Sequence, residues 1–180
     1  LIVGLVSILA GFLYTGGPRP YGYEGLGEVF VFVFFGLVSV AGTFYVQTVT
    51  VVWEAIVLAV PVGLLSAAIL MVNNVRDMDT DRKAGKRTLA VRLGRERTRL
   101  MYAATVLVAF PLAFIPWLAG SLGPGVLLVL LALPLTAKPI KTVRTAVDGP
   151  TLNACLADTA KLEIAFWLEK TREYLGPDNA

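Results

Sequence analysis

The chain has 180 residues, 56% of them hydrophobic, with a mean hydropathy of +0.71; soluble domains are nearer about 45–50% apolar by a similar count, so a water-soluble globule is excluded. It has no histidine and one cysteine, Cys155, which removes His-based acid–base catalysis, His metal ligation, Ser–His–Asp chemistry and any internal disulfide; Cys155 reads as a packing residue. The net charge of +3 and isoelectric point near 9.1 do not call for a nucleic acid, because the cations lie between apolar runs, where anionic lipid headgroups are the better partners.

Leu1–Tyr14 carries no charge but is shorter than the ~20 residues that cross a bilayer. With no initial Met and no basic leader, it is read as the remainder of a first span in the C-terminal part of a longer protein. Thr15–Glu28 is a Gly/Pro/Tyr loop. Tyr14, Tyr21 and Tyr23 there suit an interfacial aromatic belt, or a loop folded over a substrate with Arg19 near phosphate. Val29–Val46 is a second span: VFVFVFF alternates like a strand, but both phases are apolar, and no charge occurs from Val29 to Trp53. A third span, Ala55–Val72, contains Pro61, which predicts a kink. The uncharged run Leu100–Ala137 is divided at Gly120–Gly125 into a hairpin of two spans. Lys138–Pro150 is the next loop. A last segment from about Thr151 is apolar only in part.

These six segments make five loops. The first, third and fifth hold one, nine and three Lys/Arg residues, and the second and fourth hold none. Alternate loops therefore share one face, the cytoplasmic one by the positive-inside rule. The protein is expected to be integral to the cell (plasma) membrane, with its active site on that side.

The third loop concentrates the chemistry. If the third span continues as helix beyond Val72, Asp77 and Asp81 are i and i+4 and stack about 5–6 Å apart. Asn73 lies one turn back on the same face, and Asp79 points elsewhere. Two carboxylates and an amide suit Mg2+, which takes one or two protein carboxylates and completes its shell with water and phosphate oxygens. Gly85-Lys86-Arg87-Thr88 adds a turn, two cations and a hydroxyl, groups that neutralise phosphate. A solvated charged loop and a bare orientation signal are the plain alternatives. An EF-hand fails, with Arg82 where glycine is required and Thr88 where glutamate is required. A P-loop fails for want of GxxxxGK[ST].

The run N-N-x-R-D-x-x-x-D-x-x-x-G-K-R-T-L-A-V-R-L-G resembles the second aspartate-rich motif of the UbiA-type intramembrane prenyltransferases. Within them it is most similar to the 1,4-dihydroxy-2-naphthoate polyprenyltransferases of menaquinone synthesis. Tyr14–Glu28 supports the same subfamily. The resemblance implies an all-α membrane protein, with about six helices of a nine-helix bundle around a central cavity. Residues 1–160 would be the C-terminal part of one domain, and 161–180 a charged, interfacial tail. It implies Mg2+ on Asp77 and Asp81, which would also be the catalytic pair. Asn73, Asn74, Arg76, Lys86, Arg87, Arg19, Tyr21 and Tyr23 would bind a polyprenyl diphosphate and an aromatic acceptor. The reaction implied is transfer of the prenyl group to 1,4-dihydroxy-2-naphthoate with release of diphosphate and CO2.

The family's first motif, N-D-x-x-D-x-x-x-D, does not occur in these residues, so this stretch alone is expected to be inactive. KLEIAFWLEKTREYLGPDNA is also unlike an apolar last helix. Two other readings stand beside the enzyme: a prenyltransferase for another aromatic acceptor, and a noncatalytic metal-binding membrane remnant.

Overall fold

The computed structural model of the chain describes residues 2–17 and 20–174, with side chains described as far as Trp167. The described residues form helices and connecting turns, with no strand among them. Six long segments follow the chain: α1 Ile2–Thr15, α2 Gly27–Thr48, α3 Trp53–Lys83, α4 Arg95–Leu118, α5 Pro124–Thr145 and α6 Gly149–Tyr174. The four from α2 to α5 are long and apolar enough to cross a membrane. Short helical turns at Tyr21–Glu24 and Leu89–Leu93 sit in the first and third loops.

α3 is the axis of the fold and packs against α2, α4 and α6. Lipid tails are as apolar as leucine, so helices in a bilayer associate through close packing and small residues rather than by escaping water. The core reflects this. Ala68 of α3, Ala109 and Ala113 of α4 and Ala132 of α5 are buried among Leu65, Val72, Val75, Val106 and Val129. Pro61 does not end α3, whose helix is continuous from Trp53 to Lys83. Between Phe32 and Val38, α2 widens into a π-helical segment centred on its crossing with α3.

Four features differ from the sequence reading. α2 starts at Gly27 and takes in Glu28, which becomes a buried helical residue rather than the end of a loop. Lys138–Pro150 is not a loop: helix runs to Thr145, with Pro139 and Val143 inward and Lys138 on the exposed side, bound to Asp158 at 2.8 Å. Pro124–Thr136, expected as α-helix, winds in three-residue turns. α6 also has a hidden stripe. Leu152, Cys155, Thr159, Leu162 and Phe166 recur at steps of three and four and are all fully buried, which is one face of an α-helix. Among the described side chains, its charges Asp158, Lys161 and Glu163 lie off that stripe. Of the expected charged tail, the side chains from residue 168 onward lie outside the described residues.

Asp148 opens α6 by accepting the Thr151 N–H at 2.9 Å, which holds its carboxyl below the ordinary aspartate value. Across the core, the Tyr102 and Thr159 hydroxyls join α4 to α6 at 2.8 Å, and Thr159 also donates to the Cys155 carbonyl. Cys155 is buried, as a packing residue should be.

Candidate active site

The first and third loops and the turn at 146–148, which follows the cation-bearing end of α5, meet at one end of the bundle. The Arg87 N–H donates to the Tyr23 carbonyl at 2.7 Å, and Arg92 pairs with Glu24 at 3.0 Å, tying the third loop to the first. Arg99, at the start of α4, donates to the carbonyl of Ala146 in the fifth loop. The shared face expected from the charge count is present as direct contact.

α3 delivers the acidic groups. It continues more than two turns past Val72, so Asn73, Asp77 and Asp81 fall on one stripe and border one cavity of about 190 Å3. Asp79 points away to Arg95 at 3.0 Å. The way α3 ends then sets the position of Lys86. Gly85 takes φ +75, a left-handed conformation open to glycine at no steric cost. The Gly85 N–H reaches the Arg82 carbonyl at 3.2 Å, and the Lys86 N–H reaches back to the Asp81 carbonyl at 2.9 Å. This is the Schellman pattern of helix termination. It folds Lys86 over the last turn, where its ammonium meets Asp81 Oδ1 at 3.1 Å and stands 4.8 Å above the Tyr23 ring. The hydrogen bond to Asp81 holds the Lys86 ammonium above the ordinary lysine value.

Asp77 is clamped by its neighbour. Arg76 meets its two oxygens at 2.7 and 2.6 Å. The same guanidinium binds Asn73 Oδ1 at 2.7 Å and Asn153 Oδ1 of α6 at 2.5 Å. Arg76 thus braces one wall of the site and fastens it to α6.

Asn74 borders the cavity and donates to Glu28 Oε1 at 2.7 Å. Glu28 Oε2 is buried without a hydrogen-bond partner, as is the Thr88 hydroxyl, and Thr88 lines the cavity. Tyr14, Thr15, Gly22 and Tyr23 are also part of the wall. Tyr21 is turned aside: it stacks on Phe30 at 3.8 Å, and its hydroxyl donates to the Ala10 carbonyl at 2.5 Å. It faces a second, more apolar cavity of about 560 Å3 that shares Tyr14. The Arg87 side chain is exposed and is not among the cavity's lining residues. Arg19 lies outside the described residues.

Of the residues expected at the site, the fold therefore gathers Asn73, Asn74, Asp77, Asp81, Lys86 and Tyr23 around one cavity, with Arg76 behind it. Thr88 and Tyr14 join them on the cavity, and Glu28 stands behind Asn74. Thr88 had a signal, its place in Gly85-Lys86-Arg87-Thr88. Glu28 had none, because its partner Asn74 is far away in sequence.

The donor set fits Mg2+. Among the described residues no group of three or more acidic, His or Cys side chains gathers to cage a metal. Mg2+ does not require one, since one or two carboxylates with phosphate oxygens and water suffice. Asp77 and Asp81 are two such carboxylates facing one cavity, and the unpartnered Thr88 hydroxyl offers another hard oxygen beside them.

The sequence profile of the UbiA prenyltransferase family matches residues 1–165. Among curated proteins, a 1,4-dihydroxy-2-naphthoate octaprenyltransferase of Mycobacterium leprae is 44% identical over 93% of this chain and 55% of its own length. One of Mycobacterium tuberculosis is 44% identical over 93% of this chain and 56% of its own length. One of Escherichia coli is 41% identical over 89% of this chain and 52% of its own length. The chain thus spans about half the length of the curated relatives it matches. No solved structure matches it.

Proposed function

The chain belongs to the UbiA prenyltransferase family, and from that premise we propose that its protein transfers a polyprenyl group from an allylic diphosphate to 1,4-dihydroxy-2-naphthoate, releasing diphosphate and CO2 in menaquinone synthesis. The observation that carries this reading is the pairing of Asp77 and Asp81, one helical turn apart on one cavity, with Lys86 folded over them. The apolar helices and the family place the protein in a membrane; the cytoplasmic side is inferred from the cation-rich end of the bundle.

Asp77 and Asp81 would hold the cation, with Asn73 and the Thr88 hydroxyl beside it. When bound, Mg2+ supplies Lewis-acid neutralisation of the diphosphate charge. Lys86 faces the same cavity and can hold a phosphate oxygen as a point charge. Arg76 keeps Asp77 oriented. In the chemical step the allylic C–O bond breaks and its electron pair leaves with the diphosphate, so groups set where that charge develops stabilise the transition state. The ring carbon bearing the carboxylate forms the new C–C bond. The carboxylate then departs as CO2, and its bonding pair restores the aromatic ring. Apolar walls keep water from the allylic cation. Phe35 and Leu70, on a cavity that shares Asn73 with the aspartate site, are placed to do this.

The full-length protein in membranes, given a polyprenyl diphosphate and the dihydroxynaphthoate, should form prenylated product only with a divalent cation. Asp77→Ala and Asp81→Ala should each lower turnover by ~100-fold or more, the scale of losing one electrostatic stabiliser, with protein levels unchanged. Turnover that survives both substitutions, or that needs no divalent cation, overturns the reading. Preferential prenylation of a hydroxybenzoate would keep the chemistry and change the acceptor.

A further inference from the structure

A cavity of about 670 Å3 opens between α2, α3 and α6. Its walls include Phe35, Ile69, Leu70 and Leu156, and its polar lining is limited to Asn73, Ser66 and Glu163. Asn73 also borders the aspartate cavity, so the two spaces meet there. At the other end the Ser66 hydroxyl donates to Glu163 Oε1 at 2.5 Å. Among the described residues Glu163 enters no ion pair. An ionisable side chain inside an apolar bundle is costly and is found facing a cavity with work to do. Prenyl transfer as described above makes no use of this one.

Seven residues of α3 separate Ser66 from Asn73, two turns or roughly 10 Å along the axis. A flat ring with hydroxyls at opposite positions spans that interval with one hydrogen bond at each end. An isoprenoid tail does not suit it, because hydrocarbon would desolvate the Glu163 carboxylate and leave it the Ser66 hydroxyl as its one cavity-side donor. From the prenyl-transfer reading, on which this rests, we propose that the cavity takes the aromatic acceptor and that Glu163, presented by Ser66, accepts the hydrogen bond of the ring hydroxyl farthest from the diphosphate. With the carboxylate-bearing carbon held at the Asn73 end, that group is the hydroxyl para to the other. Glu163 is then a specificity residue, telling a dihydroxy ring from a monohydroxy one.

The test compares the dihydroxynaphthoate with 1-hydroxy-2-naphthoate, which lacks the distal hydroxyl, as acceptors for the full-length protein. The wild type should prefer the first by at least about tenfold in kcat/KM, as a site built around a hydroxyl does. Glu163→Leu should erase that preference and raise the acceptor KM while the KM for polyprenyl diphosphate stays put. Ser66→Ala, a smaller change that serves if Glu163→Leu does not fold, should weaken the preference in the same direction. An unchanged preference in the folded variants, with only lower thermal stability, makes the pair a helix–helix bond and overturns the proposal alone. A wild type that prenylates neither naphthoate overturns the dihydroxynaphthoate reading of the acceptor and takes this one with it.

Discussion

A Cβ built on Gly36 would stand 2.5 Å from the Cα of Gly63, so α2 and α3 meet backbone against backbone. The reverse addition, at Gly63, would meet the Phe32 carbonyl oxygen at 2.6 Å. Neither neighbour is a side chain that can swing away. Gly36→Ala must therefore push the helices apart, at about 1–3 kcal/mol for overpacking. Gly42→Ala, on the same helix but with nothing within 4 Å, should be neutral or slightly stabilising. Thermal unfolding of the two variants in detergent checks this. Equal midpoints would mean that the crossing is not tight.

Gly85 is a second glycine with a geometric duty. Its positive φ closes α3 and aims Lys86 at Asp81. Gly85→Ala has open space for the methyl group but must hold the left-handed conformation, at about 1–2 kcal/mol. The expected outcome is a modest loss of stability and a larger loss of diphosphate affinity, because Lys86 shifts with the turn. Inorganic diphosphate binding by calorimetry, beside a melting curve, separates the two effects.

Much of this end of the molecule was legible because it depends on local spacing. Asp77 and Asp81 are four apart, Asn73 is one turn back, and uncharged runs mark the spans. Contact between the first and third loops followed from counting cations. What stayed hidden was long-range or depended on direction. Glu28 reads in the sequence as the end of a loop, yet α2 begins before it and Asn74, forty-six positions on, donates a hydrogen bond to it inside the bundle. A count of charges along α6 carries no direction, so it hides the buried stripe from Leu152 to Phe166. Ser66 and Glu163 lie ninety-seven positions apart, and no periodicity joins them. The three-residue winding of Pro124–Thr136 has no signal in an evenly apolar sequence.

Tyr102 and Thr159 offer a clean test of the α4–α6 contact. Both are fully buried, and Thr159 keeps a second bond to the Cys155 carbonyl. Tyr102→Phe removes one hydroxyl, leaves the ring in place and does not orphan its partner. The cost should be about 0.5–1.5 kcal/mol, towards the lower end within a bilayer. Tyr102→Ala should cost about 3–5 kcal/mol, as large-to-small aromatic changes do. Unfolding midpoints of both variants check the order. A Phe variant as damaged as the Ala variant would show that the hydroxyl, rather than the ring, holds the helices.

The Lys86–Asp81 pair predicts a pH dependence of definite sign. The lysine's folded value is raised, first by its hydrogen bond to Asp81 and against the opposing effect of burial, from an ordinary 10.5. The folded state therefore holds the proton more tightly than the unfolded one. The contribution is fully present below pH 10.5 and is lost as pH climbs through the raised value. Asp81→Asn removes the main cause of the shift, so Lys86 should lose its proton at a lower pH and the alkaline fall in stability attributable to it should shrink. Lys86→Met should abolish that component. The ammonium is about a third exposed, so the effect should diminish as salt is added. Unfolding midpoints from pH 9 upward, for the wild type and both variants at low and high salt, give the comparison. A wild-type curve parallel to that of Lys86→Met would show that the ion pair contributes nothing to the closed loop.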